Sequence, residues 1–587
     1  MRFQKLFEPI EIGKVRVKNR IAMSPMLPLG VYRDGVLTDR VIDYYVERAR
    51  GGVGLIIAGV FKVENEVERA PIPYYPMVSL KGYGPLAELS DYIHSYGARI
   101  FIQLTAGTGR LIPPEVMNEF GFKPVSSSVN PAFYRPDIAT DALSTEDVEK
   151  LGKSFRRAAE LVVAADIDGI ELHAHQGYLF DQFTTSLWNR REDKYGGDLN
   201  GRLRLSMETL QNIKDVAGKG FPVTYRFGLR HYLRSRERGT LKKELPEVGR
   251  NLEESLEMAK RLEKAGFDAL HVDAGCYESQ YWPHPPMYQP HGCTIDLIST
   301  VKKVVSIPIF AVGKLDIPDL AEKVLEDGIA DIIALGRGLL ADPYWPQKVR
   351  EERMDDIRPC IGCHEGCMMR SYVSESLGRP FTCSVNPACA RERRLQITKA
   401  DRPKNILVIG GGVAGMECAR VSTLRGHSVT LYEKNDRLGG HLIEASVPEF
   451  KEDVKRLLEW YGGQLRKLNV STKLNVDVDH EMVIKTKWDA VVIATGSTHR
   501  IPNIPGANEP NVVTCGDLLL REKEAGSRVV IIGGGSEGCE TAVWLARQGK
   551  CVTVVEMLPN VATDLWESNH MMLLEMLEEN SVEILTD

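Results

Sequence analysis

Four cysteines in one short stretch are the strongest chemical signal in the chain: Cys360-x2-Cys363-x3-Cys367, followed by Cys383. Thiolates at such compact, unequal spacings can wrap a cubane, each holding one iron of a [4Fe-4S] cluster. The same four-cysteine set also suits a structural zinc, and buried cysteines without metal are a third reading. None of the eleven cysteines precedes Cys276, and five lie between Cys360 and Cys389. A cluster of that kind in a large chain points to metal chemistry and away from a disulfide framework. Cys389 reads as a packed small hydrophobe.

Two glycine-rich turns carry the second signal. Asn405–Ile409 leads into Gly410-Gly411-Gly412-Val413-Ala414-Gly415, a helix, and Ser428–Tyr432 ending at Glu433. The layout recurs at Arg528–Ile532, Gly533-Gly534-Gly535-Ser536-Glu537-Gly538, a helix, and Cys551–Val555 ending at Glu556. Glycines there let backbone N–H groups approach a pyrophosphate, and the helix N-terminus stabilises its charge. The acid roughly 20 residues on accepts hydrogen bonds from ribose hydroxyls. A single such turn also occurs as ordinary structure; two complete copies in series read as dinucleotide sites.

The elements that must position these groups come next. At 587 residues the chain is expected to hold several domains. Apolar residues at 43%, charged residues at 26% and a net charge of −6 describe a globular enzyme, with neither nucleic acid nor an anionic membrane as its main partner. No signal peptide is legible in MRFQKLFEPIEIG and no apolar run is long enough to span a bilayer, so a cytoplasmic location is expected. The first 350 or so residues alternate candidate strands (Arg20–Ser24, Val53–Gly59, Arg99–Leu104, Gly169–Ala174, Pro222–Phe227, Ala269–Ala274, Pro308–Val312 and Asp331–Leu335) with amphipathic stretches such as Thr145–Ala165 and Leu252–Ala265. Ser144-Thr145-Glu146-Asp147 carries a helix-start signature. Eight strands with intervening helices predict a (βα)8 TIM barrel, with its chemistry on the loops after the strands; an open doubly wound sheet is the runner-up. The whole chain is thus α/β, with the barrel over 1–355, a cysteine-rich cluster segment over 356–400, and Rossmann-like nucleotide-binding domains over 401–525 and 526–587.

The barrel's motifs resemble the old yellow enzyme family: Ser24-Pro25-Met26, Ile102-Gln103-Leu104, Glu171-Leu172-His173-Ala174-His175-Gln176-Gly177-Tyr178-Leu179 running to Asp181-Gln182-Phe183, then Ala311-Val312-Gly313 and Ala334-Leu335-Gly336-Arg337. The resemblance implies an FMN lined by Pro25, Met26 and Ala58, with Gln103 and Arg226 on its pyrimidine side. A buried polar pair bracing the barrel is the alternative for those two. Gly313, Gly336 and Arg337, on the loops where barrels commonly hold phosphate, are expected to grip the FMN phosphate. Tyr178 matches the family's proton donor and His173 the first of its paired carbonyl-binding residues. The second member of that pair falls on Gln176, with neighbouring His175 as the alternative. His284, after strand six, is weighed evenly between a second acid and a bland histidine. Around Trp488–Gly496 and the two glycine turns the chain is similar to two-dinucleotide disulfide-reductase-like flavoproteins. That implies FAD on Gly410, Gly412, Ala414, Gly415 and Glu433, and NAD(P)H on Gly533, Gly535, Gly538 and Glu556. Glu556 would repel a 2′-phosphate, favouring NADH. Relatives return to complete the FAD site after the nicotinamide domain, whereas this sequence stops at Asp587. The C-terminus is therefore expected to be truncated and the nucleotide sites incomplete.

Barrel, cluster and nucleotide domains together resemble the subgroup containing 2,4-dienoyl-CoA reductase, 2-enoate reductase, trimethylamine dehydrogenase and the bile-acid-inducible oxidoreductases. The expected activity is reduction of a C=C bond conjugated to a carbonyl in a small-molecule substrate (an enoate, a CoA ester or a 3-oxo-steroid). Electrons would run from NADH through FAD and the [4Fe-4S] cluster to FMN. The rivals are steroid or bile-acid desaturation, amine dehydrogenation, which the lack of any cysteine before Cys276 disfavours, and a truncated non-catalytic electron-transfer flavoprotein. Substrate identity and a homo-oligomeric state are left open.

Overall fold

A computed structural model describes residues 2–28, 32–68, 76–233, 246–370 and 381–587. Eight parallel strands close on themselves: β1 (Ile21–Met23), β2 (Leu55–Val63), β3 (Arg99–Thr105), β4 (Gly169–His173), β5 (Val223–Gly228), β6 (Ala269–Asp273), β7 (Ile309–Ala311) and β8 (Ile332–Leu335). Each pairs with the next in sequence, and β8 returns to β1 through Ile333 opposite Ile21. The TIM barrel expected from the alternation is therefore the fold, and the open sheet is not. The strands read as nearly unbroken apolar runs because helices cover one face and side chains fill the other. Strand β2 runs four residues beyond the expected Gly59, with a register shift between Ala58 and Phe61 against β3. Apolar continuity through Val60, Phe61 and Val63 carries it on, each of them buried.

A small antiparallel hairpin, Ile10–Ile12 with Val15–Val17, closes the N-terminal end of the barrel. Its Ile12, Val15 and Val17 pack on Leu55, Phe101, Ala269 and Phe310. That end is filled with apolar side chains. The surrounding helices begin as their sequences ask. Ser144 Oγ accepts the Asp147 N–H at 3.1 Å at the head of Thr145–Ala164, satisfying a backbone donor that the first helical turn cannot. Asp198 and Asn251 do the same for Leu199–Ala217 and Leu252–Ala265.

By compactness the chain forms two units. The first comprises 1–285, 289–352 and 364–393; the second comprises 286–288, 353–363 and 394–587. The second unit holds two parallel sheets. One runs in the order Ser471–Lys473, Ser428–Tyr432, Asn405–Ile409, Ala490–Ile493, and the other Arg528–Ile532, Cys551–Glu556, Glu583–Thr586. Among the described residues no helix is long and apolar enough to cross a membrane.

Candidate active site and nucleotide turns

At the C-terminal mouth of the barrel a buried polar network joins four strands. From β3, Gln103 Nε2 donates to Glu171 Oε1 on β4 at 2.9 Å. The other Glu171 oxygen lies 2.9 Å from His271 Nδ1 on β6. Arg226 on β5 donates through Nε and Nη2 to Asp273 Oδ2 at 3.1 and 2.9 Å. The same Asp273 oxygen lies 2.7 Å from His175 Nδ1. Burial alone would raise the Asp273 carboxyl, but His175 and Arg226 hold it well below the usual carboxylate range. Burial together with Arg226 pushes His173 and His175 below the ordinary histidine value, so both rings are neutral at neutral pH. The short approach of His175 Nδ1 to Asp273 is not an aligned hydrogen bond, and that nitrogen is left without one in the protein.

The loop after β4 turns sharply, with Gln176 at φ 60° and Gly177 at φ 84°. Asp181 fixes that turn by accepting the Gly177 N–H at 2.8 Å. Arg250 at 2.5 Å and His231 at 3.2 Å pair with the Asp181 carboxylate, all three side chains being fully buried. The turn delivers Tyr178 edge-on to His173, ring centroids 4.3 Å apart, and His173 edge-on to His175 at 4.6 Å. Gln176 instead pairs its backbone with Cys276 on the loop after β6. His173, Tyr178 and His175, the alternative to Gln176 as second carbonyl-binding residue, thus form one cluster. His284 is half-buried elsewhere in the mouth; desolvation and then Arg337 push it down to about 3, so it carries no imidazolium proton at neutral pH.

The residues expected to line an FMN are placed on the same mouth. Gly336 faces Met26, whose Sδ would lie 3.1 Å from a Cβ added there, and at Gly313 (φ 140°) such a Cβ would meet Thr294 Oγ1 at 2.2 Å. Ala58 is fully buried on β2, and Pro25 follows Ser24, whose N–H donates to Leu335 O. Polar atoms of this mouth, among them Ser24 Oγ, His173 Nδ1, His175 Nδ1, Asp273 Oδ1 and His284 Nδ1, are buried without a protein hydrogen-bond partner. Buried polar atoms are rarely left so, and a flat heteroaromatic with carbonyls and N–H groups is the kind of ligand that would satisfy them. Arg337 is turned to His364 Nε2 and to Pro285 O, both at 2.6 Å. Lys314, beside Gly313, donates to Gln289 O at 2.6 Å and adds a second cation on the phosphate side. Lys314 directly follows the Ala311-Val312-Gly313 motif but was not singled out from the sequence. Nor were Asp273, Glu171 and Asp181 singled out as the anions that set the charge of the mouth.

The cysteine segment is divided between the two units: Cys360 and Cys363 belong to the second, Cys367 and Cys383 to the first. In the first, the turn Glu365–Met369 lies on the chain around Cys383. The Thr382 N–H donates to Gly366 O at 3.0 Å, and a Cβ on Gly366 would meet Cys383 Cα at 3.0 Å. All four cysteines are partly accessible.

The nucleotide turns are near-duplicates. Gly410 and Gly533 take φ 107° and 106°. A Cβ on Gly415 or Gly538 would lie 1.9 or 2.1 Å from the carbonyl oxygen of Gly410 or Gly533. Only glycine permits that approach, which brings strand and helix together and opens the helix N-terminus. Gly412 and Gly535 cap the helices that begin at Val413 and Ser536, with Ala414 exposed in the first turn. Gly411 N donates to Glu433 Oε2 at 2.6 Å, and Gly534 N to Glu556 Oε2 at 2.7 Å. Beside the second turn the second unit has a cavity of about 330 Å³, lined by Ser497, Thr498, Ser536 and Glu537 among others.

Both halves of this arrangement match known families. Residues 5–356 fit the NADH:flavin oxidoreductase / NADH oxidase family and residues 392–587 the pyridine nucleotide-disulphide oxidoreductases. The chain belongs to the NADH:flavin oxidoreductase / NADH oxidase family. Cinnamate reductase of Clostridium sporogenes is 42% identical over 99% of this chain and 88% of that protein. NADH oxidase of Thermoanaerobacter brockii is 38% identical over 96% and 84%. Among solved structures, 2-naphthoyl-CoA reductase in complex with 2-naphthoyl-CoA superposes with a TM-score of 0.91 at 28% identity, covering all of this chain and 88% of the other. The protein is accordingly a flavin-dependent oxidoreductase of this family, with an FMN barrel and FAD/NAD(P)H-type nucleotide domains.

Proposed function

We propose that this enzyme reduces a C=C bond conjugated to a carbonyl, with NAD(P)H as the electron source. The observation that carries the reading is the cluster of neutral His173, His175 and Tyr178 at a mouth whose other polar groups await a ligand. Similarity to a cinnamate reductase and to a 2-naphthoyl-CoA reductase supports an aryl-conjugated acid or thioester as the substrate class. FMN would be held by Gln103 and Arg226 on its ring edge and by Gly313, Lys314, Gly336 and Arg337 at its phosphate; when bound and reduced it supplies a hydride to the β-carbon. Arg226 places a positive charge beside a cofactor that becomes anionic on reduction. The neutral His173 ring has one N–H to donate to the substrate carbonyl, where negative charge develops. His175, tied to Asp273, positions that ring. Tyr178 Oη gives its proton to the α-carbon. Cys360, Cys363, Cys367 and Cys383 would hold the [4Fe-4S] cluster, which converts paired into single electrons. The first nucleotide turn would take FAD and the second NADH, with the cavity beside the second turn offering room for the nicotinamide end.

The test is anaerobic. NADH should bleach the flavin, and cinnamate, a dienoyl-CoA or a 3-oxo-Δ4-steroid should restore its colour. Tyr178→Phe should slow that second step about a hundredfold or more while leaving bleaching intact. Full activity in Tyr178→Phe would remove Tyr178 as the acid. Bleaching by dithionite but not by NADH would remove the relay.

A further inference from the structure

The loops after β4 and β6 come together through the Gln176–Cys276 backbone bridge, and each then presents a tyrosine. Tyr178 Oη and Tyr277 Oη are 3.0 Å apart, both residues at most 5% exposed. Tyr277 is held firmly. Ser279 Oγ accepts the Cys276 N–H at 3.0 Å, and the next residue, Glu278, is paired with Arg110 at 2.6 Å in a buried contact. The Tyr277 ring packs edge-on against Phe133 at 5.5 Å, extending the row His173, Tyr178, Tyr277, Phe133. The ionisable groups around the pair are His173 on β4, Arg110 on the loop after β3, Glu278, and Tyr134, whose ring lies 6.5 Å from that of Tyr277.

We propose that Tyr277 is a second catalytic phenol, whose O–H donates to Tyr178 Oη and returns the proton that Tyr178 gives away. The proposal rests on the reading of Tyr178 as the acid. As the hydride reaches the β-carbon, the Tyr178 O–H bond breaks and a C–H bond forms at the α-carbon. The negative charge passes from the substrate to Tyr178 Oη. An isolated buried phenolate is costly; a charge-assisted hydrogen bond from Tyr277 stabilises it. The Tyr277 proton then moves to Tyr178, and water reprotonates Tyr277, so one hydride and one proton are consumed per C=C bond.

Flavin reoxidation by substrate after NADH reduction, followed by stopped flow in the holoenzyme, separates the possibilities. Tyr277→Phe is expected to slow reoxidation about tenfold without changing bleaching by NADH. The basic limb of the rate profile should move to higher pH, because the phenolate has lost its donor. Tyr178→Phe/Tyr277→Phe should be no slower than Tyr178→Phe, and Tyr277→His, which keeps a donor, should recover part of the rate. A structural role would slow the reaction additively and leave the limb in place, overturning the proposal. So would Tyr277→Phe at the wild-type rate beside a slow Tyr178→Phe. A fast Tyr178→Phe would instead overturn the underlying reading, and this proposal with it. A substrate-independent check is the ultraviolet tyrosinate titration of Tyr178, taken as wild type minus Tyr178→Phe. It should shift to higher pH in the Tyr277→Phe background; an unchanged titration overturns the proposal.

Discussion

At the mouth of the barrel Gln103, His173, Arg226 and Asp273 arrive from four different strands, Arg226 and Asp273 as a buried ion pair and Gln103 held by Glu171. At the nucleotide turns Gly410–Gly415 and Gly533–Gly538 hold their geometry with backbone alone, each within one strand–turn–helix. The first device is costly to damage anywhere, because every charged member is buried and balances another. The second is local and depends on the absence of side chains. A barrel site therefore tolerates few substitutions among its polar residues, whereas a nucleotide turn fails at one glycine and leaves the rest of the molecule standing.

The largest effect should come from breaking the barrel network at its shared anion. Asp273→Ala leaves Arg226 buried without its partner and should destabilise the barrel by about 3–5 kcal/mol, read as a loss of Tm with release of FMN. Next, Gly415→Ala forces a Cβ onto the Gly410 carbonyl at a cost of about 1–3 kcal/mol. Extracted flavin should then show FMN retained and FAD lost. Gly538→Ala should keep both flavins yet abolish bleaching by NADH, with dithionite still effective. Equal loss of both flavins in Gly415→Ala would erase the contrast drawn above.

Acid titration sharpens the same comparison. Burial would raise the Asp181 carboxyl, but Arg250 and His231 hold it well below the usual range, and Asp273 is held down likewise. Groups depressed in the folded state stabilise fully above their unfolded value, about pH 4, and lose that contribution as pH falls below it. The barrel Tm should therefore fall steeply below about pH 4, and Asp181→Asn should lower the plateau while flattening that slope. The smallest effect is at Glu556, where loss of the ribose partner in Glu556→Ala should cut the preference for NADH over NADPH about fivefold. An unchanged ratio would locate the selectivity elsewhere.

These differences follow how far apart in sequence the parts lie. The eight strands, the Ser144 helix cap, both nucleotide folds and the positions of His173 and Tyr178 were legible, because each depends on neighbours within about one turn or one strand. Asp273 was not: nothing near Val272 or Ala274 announces that a carboxylate there will meet both Arg226 and His175. Nor was Tyr277 legible beside Tyr178, 99 residues away. His284 shows the reverse, a histidine that sequence left open between acid and filler and that burial beside Arg337 keeps neutral.

By itself the sequence determined the barrel, the paired nucleotide turns and the four-cysteine spacing, since apolar periodicity and glycine placement are local constraints on the backbone. Only the tertiary structure decided which ionisable groups share a buried volume, and so which histidines stay neutral and which tyrosine stands beside the expected acid. Desolvation and charge pairing act through space, between residues that the chain order keeps far apart.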